Sequence, residues 1–135
     1  IAYSNGSIVI EGDYDRDGDV DLFVGGGSKP GSYPNSSIGG ILRNDSNSET
    51  GEIKFTIATQ EINPKLRQPG LVTDAVWVDI NNDDWLDLVL VGEWMPIMIF
   101  INEKGQLVER TKELGLENLV QRSRWTHKYL ANCHY

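Results

Sequence analysis

The stretch "DYDRDGDVD", Asp13 to Asp21, places an aspartate at every second position. Like charges about 4 Å apart repel by roughly 1 kcal/mol even in bulk water, and by more near a protein surface. A solvated acidic run relieves that repulsion by staying extended. This one leads at once into "LFVGG", an apolar, β-favouring stretch. Ligation of a hard cation reconciles the two. Oxygen ligands at loop positions 1, 3 and 5 point inward, position 7 supplies a backbone carbonyl, and position 9 a further carboxylate. The loop offers Asp13, Asp15, Asp17, the carbonyl of Asp19, and Asp21. With a water or one bidentate carboxylate these make up roughly six to eight oxygens, the number calcium prefers.

The pattern occurs twice. Aligning Asp13 with Asp79 superposes "DYDRDGDVDLFVGG" on "DINNDDWLDLVLVG" without a gap. The second loop offers Asp79, Asn81, Asp83, the carbonyl of Trp85, and Asp87. Nine of the 11 aspartates lie in the windows 13–21 and 79–87, which a random acidic surface would not arrange. Both loops lack the His or Cys that zinc prefers, and magnesium demands a stricter octahedron. Position 6 of such a loop takes a left-handed backbone. Gly18 suits it, and Asp84 tolerates it better than most residues. An EF-hand needs a carboxylate at position 12. That position is Val24 in one loop and Leu90 in the other, so EF-hand and dockerin-type readings both fail.

The elements that hold the loops repeat with them. "SIVI" (7–10) and "DAVWV" (74–78) precede the loops, and "DLFVGGG" and "DLVLVGEW" follow. Then come "GGILRND" (39–45) and "PIMIFINEKG" (96–105), and last "IKFTIAT" (53–59) and "QLVERT" (106–111). Short β-rich runs separated by Gly, Asn, Asp and Pro predict antiparallel sheet. Four strands per repeat predicts an all-β fold of antiparallel four-stranded β-propeller blades, about two of them. The best helical candidate is "VERTKELGLENLV" (108–120), read as a helix or as only a turn or two. The first copy carries an insertion, "GSKPGSYPNSSIGG", read as a solvated surface loop.

The quoted loops and their strands resemble the FG-GAP/VCBS repeat family, the repeat of integrin α-subunit propellers and of many secreted bacterial proteins. The resemblance covers about residues 7–117 and is closest to bacterial VCBS-repeat proteins that often precede an ASPIC/UnbV module. It implies a β-propeller, structural calcium at two sites on the positions named above, and an extracellular, cell-surface or periplasmic setting. Asp84 stands where the family usually carries glycine, and residues 120–135 do not match the start of another blade. The expected division is a first blade at 1–69, a second at 70–117, and an atypical tail or truncated next blade at 118–135. A propeller usually needs about four to eight blades. A lone pair exposes apolar faces, so the expectation is a fragment of a larger propeller, or a chain whose partners cover those faces. A start without Met fits a piece of something longer.

The 135 residues suit one domain, and 39% hydrophobic with 24% charged residues fits a folded protein. A net charge of -8 argues against nucleic acid and anionic membranes as partners. No apolar run is long enough to span a membrane. Cys133 is the only cysteine and reads as a free thiol. His127 and His134 read as exposed. The sequons at Asn5, Asn35 and Asn44 read as chance in an Asn/Ser-rich chain.

The expected function is a non-enzymatic calcium-binding module for adhesion, ligand binding or scaffolding, with a protein or glycan ligand. The competing reading is a polysaccharide-binding domain, or one associated with a polysaccharide-processing enzyme. Only Glu93 and Trp94, just past a strand end, carry that reading, and packing is their ordinary role. The loop carboxylates are charge-balancing ligands rather than an acid–base pair with separated pKa values.

Overall fold

The computed structural model describes residues 5–119. The tail from residue 120 on, with His127, Cys133 and His134, lies outside the described residues. The fold is all-β. Strands β1 (Gly6–Gly12), β2 (Asp21–Gly26), β3 (Gly40–Asn44) and β4 (Phe55–Ile57) form one antiparallel sheet in that order. Strands β5 (Leu71–Val78), β6 (Asp87–Glu93), β7 (Met98–Glu103) and β8 (Gln106–Glu109) form a second. Each strand falls on one of the apolar runs read from the sequence.

Alternation explains the strands. Along β1 exposed and half-buried residues take turns, as the two-residue period of a pleated strand requires. The second strands, β2 and β6, read as nearly continuous apolar runs, with one face buried and the other half-buried. Between β7 and β8, Lys104 (φ 55°) and Gly105 (φ 92°) are both left-handed, the backbone a two-residue hairpin turn demands.

Two short helical pieces went unforeseen. They are α1 (Thr59–Ile62) and a 3₁₀ turn at Pro64–Arg67. They carry the chain from β4 to β5 and lie against β8, where Asn63 Nδ2 donates to the Leu107 carbonyl at 2.8 Å and Lys65 pairs with Glu109. Beyond β8, the helical candidate at 108–120 forms only turns among the described residues. Its start belongs to β8, and single turns follow, closed at Gly115 (φ 72°). A left-handed glycine is a common helix stop.

The sheets meet through opposite faces in one core. The first contributes Ile8, Ile10, Phe23 and Ile41, and the second Ala75, Trp77, Leu88, Leu90 and Phe100. The approach is close because Gly12 lies under Trp77. A Cβ at Gly12 would sit 2.6 Å from Trp77 Cδ1, and one at Gly25 would sit 3.0 Å from Val72 Cγ1. Tyr14 stacks on Trp77 with ring centroids 6.3 Å apart. The indole Nε1 of Trp77 is buried without a hydrogen-bond partner.

Candidate metal centre

Each acidic loop joins the first two strands of its sheet. The loop of residues 13–20 connects β1 to β2, and that of residues 79–86 connects β5 to β6. The position-9 aspartate opens the second strand. Asp21 and Asp87 are both fully buried. An ionised carboxylate survives there only if its oxygens are hydrogen-bonded. Asp21 Oδ2 accepts from Tyr14 N–H at 3.2 Å, and Oδ1 from Asn44 N–H at 2.8 Å. Asp87 repeats this, accepting from Ile80 N–H at 2.8 Å and Asn102 N–H at 2.7 Å. Each therefore ties its loop to the third strand as well as the second.

The loop interiors match equally closely. Asp13 accepts from Asp17 N–H at 3.1 Å and Gly18 N–H at 3.0 Å. Asp79 accepts from Asp83 N–H at 3.1 Å and Asp84 N–H at 2.9 Å. At position 5, Asp17 accepts from Asp19 N–H at 2.8 Å and Asp83 from Trp85 N–H at 2.9 Å. Position 6 is left-handed in both, at Gly18 (φ 93°) and Asp84 (φ 67°). Position 4 is left-handed as well, at Arg16 (φ 61°) and Asn82 (φ 57°), which the sequence reading missed. Asp84 thus holds the backbone that glycine holds in the first loop.

Of the five residues expected to ligate in the first loop, the fold gathers Asp13, Asp15 and Asp21, with one carboxylate oxygen of each within 4.8 Å of the others. Asp17 and Asp19 are exposed. In the second loop the equivalent positions are Asp79, Asn81 and Asp87, and Asn81 Nδ2 donates to Asp83 Oδ2 at 3.0 Å. The donor set is all oxygen in loop one and oxygen with one amide in loop two, chemistry suited to a hard cation.

Burial and mutual repulsion set the electrostatics of the first loop. Burial pushes the Asp21 carboxyl up to about 6, and the charges of Asp15 and Asp17 add to the rise, against the backbone N–H bonds that lower it. Burial, with the charges of Asp17 and Asp13, also raises Asp15. Tyr14, between the sheets, is pushed up to about 12 by burial and by Asp15 and Asp21. A cation among these carboxylates would reverse the repulsion.

Other contacts around the loops and strand ends were invisible in the sequence. The Arg16 guanidinium of loop one lies 5.3 Å from the centroid of the Trp85 ring of loop two, so the two loops touch. Trp94 is 43% exposed and left-handed (φ 60°). Its Nε1 donates to the Tyr33 hydroxyl at 2.7 Å, and that hydroxyl donates to Glu93 Oε2 at 3.1 Å. The insertion of the first sheet is thereby pinned to the second. Trp77 lies against the core between the sheets, as expected.

No family model matches the chain, and no curated protein or solved structure matches it either. Among the described residues no helix is long and apolar enough to cross a membrane.

Proposed function

We propose that this chain is a calcium-binding pair of β-propeller blades of the FG-GAP/VCBS kind. It is non-enzymatic and works outside the cell in adhesion, ligand binding or scaffolding, alongside further blades. One observation carries the reading. Two loops of different sequence take one geometry, with the same backbone N–H groups on positions 1, 5 and 9 and left-handed residues at positions 4 and 6. In loop one, Asp13, Asp15 and Asp21 face a common point. Asp13, Asp15, Asp17 and Asp21 would hold the ion with the Asp19 carbonyl. In loop two Asp79, Asn81, Asp83 and Asp87 would do so with the Trp85 carbonyl. The ion's role is structural: it offsets carboxylate repulsion that folding itself creates.

Calorimetric titration of the metal-stripped protein with calcium should give two sites. Asp17→Ala and Asp83→Ala should each remove one site; both residues are exposed, and the hydrogen bonds they give up lie within their own loops. A variant that keeps both sites would exclude its loop as a calcium site.

The Trp94, Tyr33 and Glu93 cluster supports a second reading, a glycan contact on the same module. It sets an exposed ring beside a carboxylate at a strand end. Binding on a glycan array that disappears with Trp94→Ala would establish it. An array without signal would exclude it.

A further inference from the structure

Buried and free faces of the two sheets correspond. The repeat alignment sets Leu22 and Val24 against Leu88 and Leu90, and the strand registers add Leu42 against Phe100. Leu88, Leu90 and Phe100 are buried against the first sheet. Their counterparts lie on the opposite face of the first sheet, which among the described residues the second sheet leaves free, beside Val9 (57% exposed) and Ile57 (58% exposed). That face holds a groove of about 480 Å³ lined by Val24, Ile38, Leu42, Ile57 and Gln60. In the other direction, Ile10, Phe23 and Ile41 of the buried first-sheet face correspond to Val76, Val89 and Ile99. Those three lie in register across β5, β6 and β7 on the second sheet's free face, with Val76 51% exposed.

The polar link between the sheets has the same loose ends. Asn102 Nδ2 donates to the Leu86 carbonyl of its own loop and, across the interface, to the Tyr14 carbonyl at 2.7 Å. Asn44 is the counterpart of Asn102 and donates to the Val20 carbonyl of its own loop. The counterpart of Tyr14 is Ile80, which is exposed.

We infer that a second copy of this chain docks head to tail on the first, the Val76, Val89 and Ile99 face of one copy covering the Val24, Leu42 and Ile57 face of the next. The contact reuses the interface already made inside the chain, with Asn44 of one copy in reach of the Ile80 carbonyl of the other. The two faces differ, so the contact is heterologous and each added copy leaves a free face at either end. A ring or an open chain of copies results, rather than a two-fold dimer. The inference rests on the repeat half of the function proposed above and not on calcium ligation. The measurement is therefore made in saturating calcium, and the calorimetric titration reports the ligation separately.

Sedimentation velocity of the chain over a wide concentration range should show species above the 15.1 kDa monomer, growing with concentration. Val76→Asp and Ile57→Asp should each stay monomeric. An equimolar mixture of the two should form a dimer and nothing larger, because each variant supplies the one face the other lacks. Both positions are more than half exposed, and unchanged melting of the variant monomers checks that they fold. Val78→Lys and Val9→Lys serve as a second pair on the same two faces. A wild type that stays monomeric throughout would overturn the inference. So would association lost in only one variant, which marks a single-face dimer, or a mixture that remains monomeric.

Discussion

Asp21 shows how one residue serves two ends. Its oxygens accept two buried backbone N–H groups, and it stands with Asp13 and Asp15 at the mouth of the loop. Its carboxyl is raised from 3.8 to about 6, so the folded state holds the proton more tightly than the unfolded state does. That contribution to stability is complete below the unfolded pKa and is lost as pH rises through the folded one. Asp45 acts oppositely, because Arg43 and Thr56 hold its carboxyl below the usual range, and its contribution fades as pH falls. Metal-stripped protein should therefore melt higher at about pH 5 than at about pH 7, between these two effects. Saturating calcium should invert that order, since the ion competes with the proton for Asp21. The same order with and without calcium would mean that proton and ion do not share the site. The gathering of Asp13, Asp15 and Asp21 was legible because a two-residue spacing of carboxylates is a one-dimensional signal. The backbone-anchoring role of Asp21 and Asp87 was not, because Asn44 and Asn102 reach them only once the third strand is paired. Arg16 on Trp85 and Tyr33 on Trp94 were hidden for the same reason: each joins residues far apart in the chain.

The strands and hairpins were legible as elements, since alternation of apolar residues and Gly or Asn turns fix them locally. The connector was not. "TQEINPKLRQ" takes its short helical pieces from tertiary anchors, including Thr59 Oγ1 accepting from Ile41 N–H and Asn63 reaching Leu107. Residues 108–119 have helical composition, yet β8 claims the first two because pairing of Val108 with Ile101 completes a sheet. Gly12 matters at this scale. It ends β1 and leaves room for the Trp77 ring, which stacks on Tyr14. Gly12→Ala should push that ring away and cost about 1–3 kcal/mol, the usual penalty of overpacking. Urea unfolding in calcium measures it, and a midpoint equal to wild type would show that the sheets do not depend on this close approach.

At the scale of the molecule, two similar sheets stack through unlike faces, and each acidic loop closes one end of its sheet. Loop one meets loop two through Arg16 and Trp85, and Asn102 ties the second sheet to the first loop at the Tyr14 carbonyl. Ordering either loop should therefore stiffen the joint between the sheets as well as its own hairpin. The architecture of two four-stranded sheets followed from the repeat in the sequence. How the sheets stack did not, because Gly12 and Gly25 carry no side chain to announce a contact face. The most direct measurement is a thermal melt of metal-stripped protein, repeated with about 1 mM calcium and with the same concentration of magnesium. For two sites with a dissociation constant of about 0.1 mM, binding contributes about 1.4 kcal/mol each, or a rise of roughly 10 °C in all. The account predicts a rise of that order with calcium and little with magnesium. Equal melting temperatures in all three conditions would contradict calcium as the ion these aspartates gather.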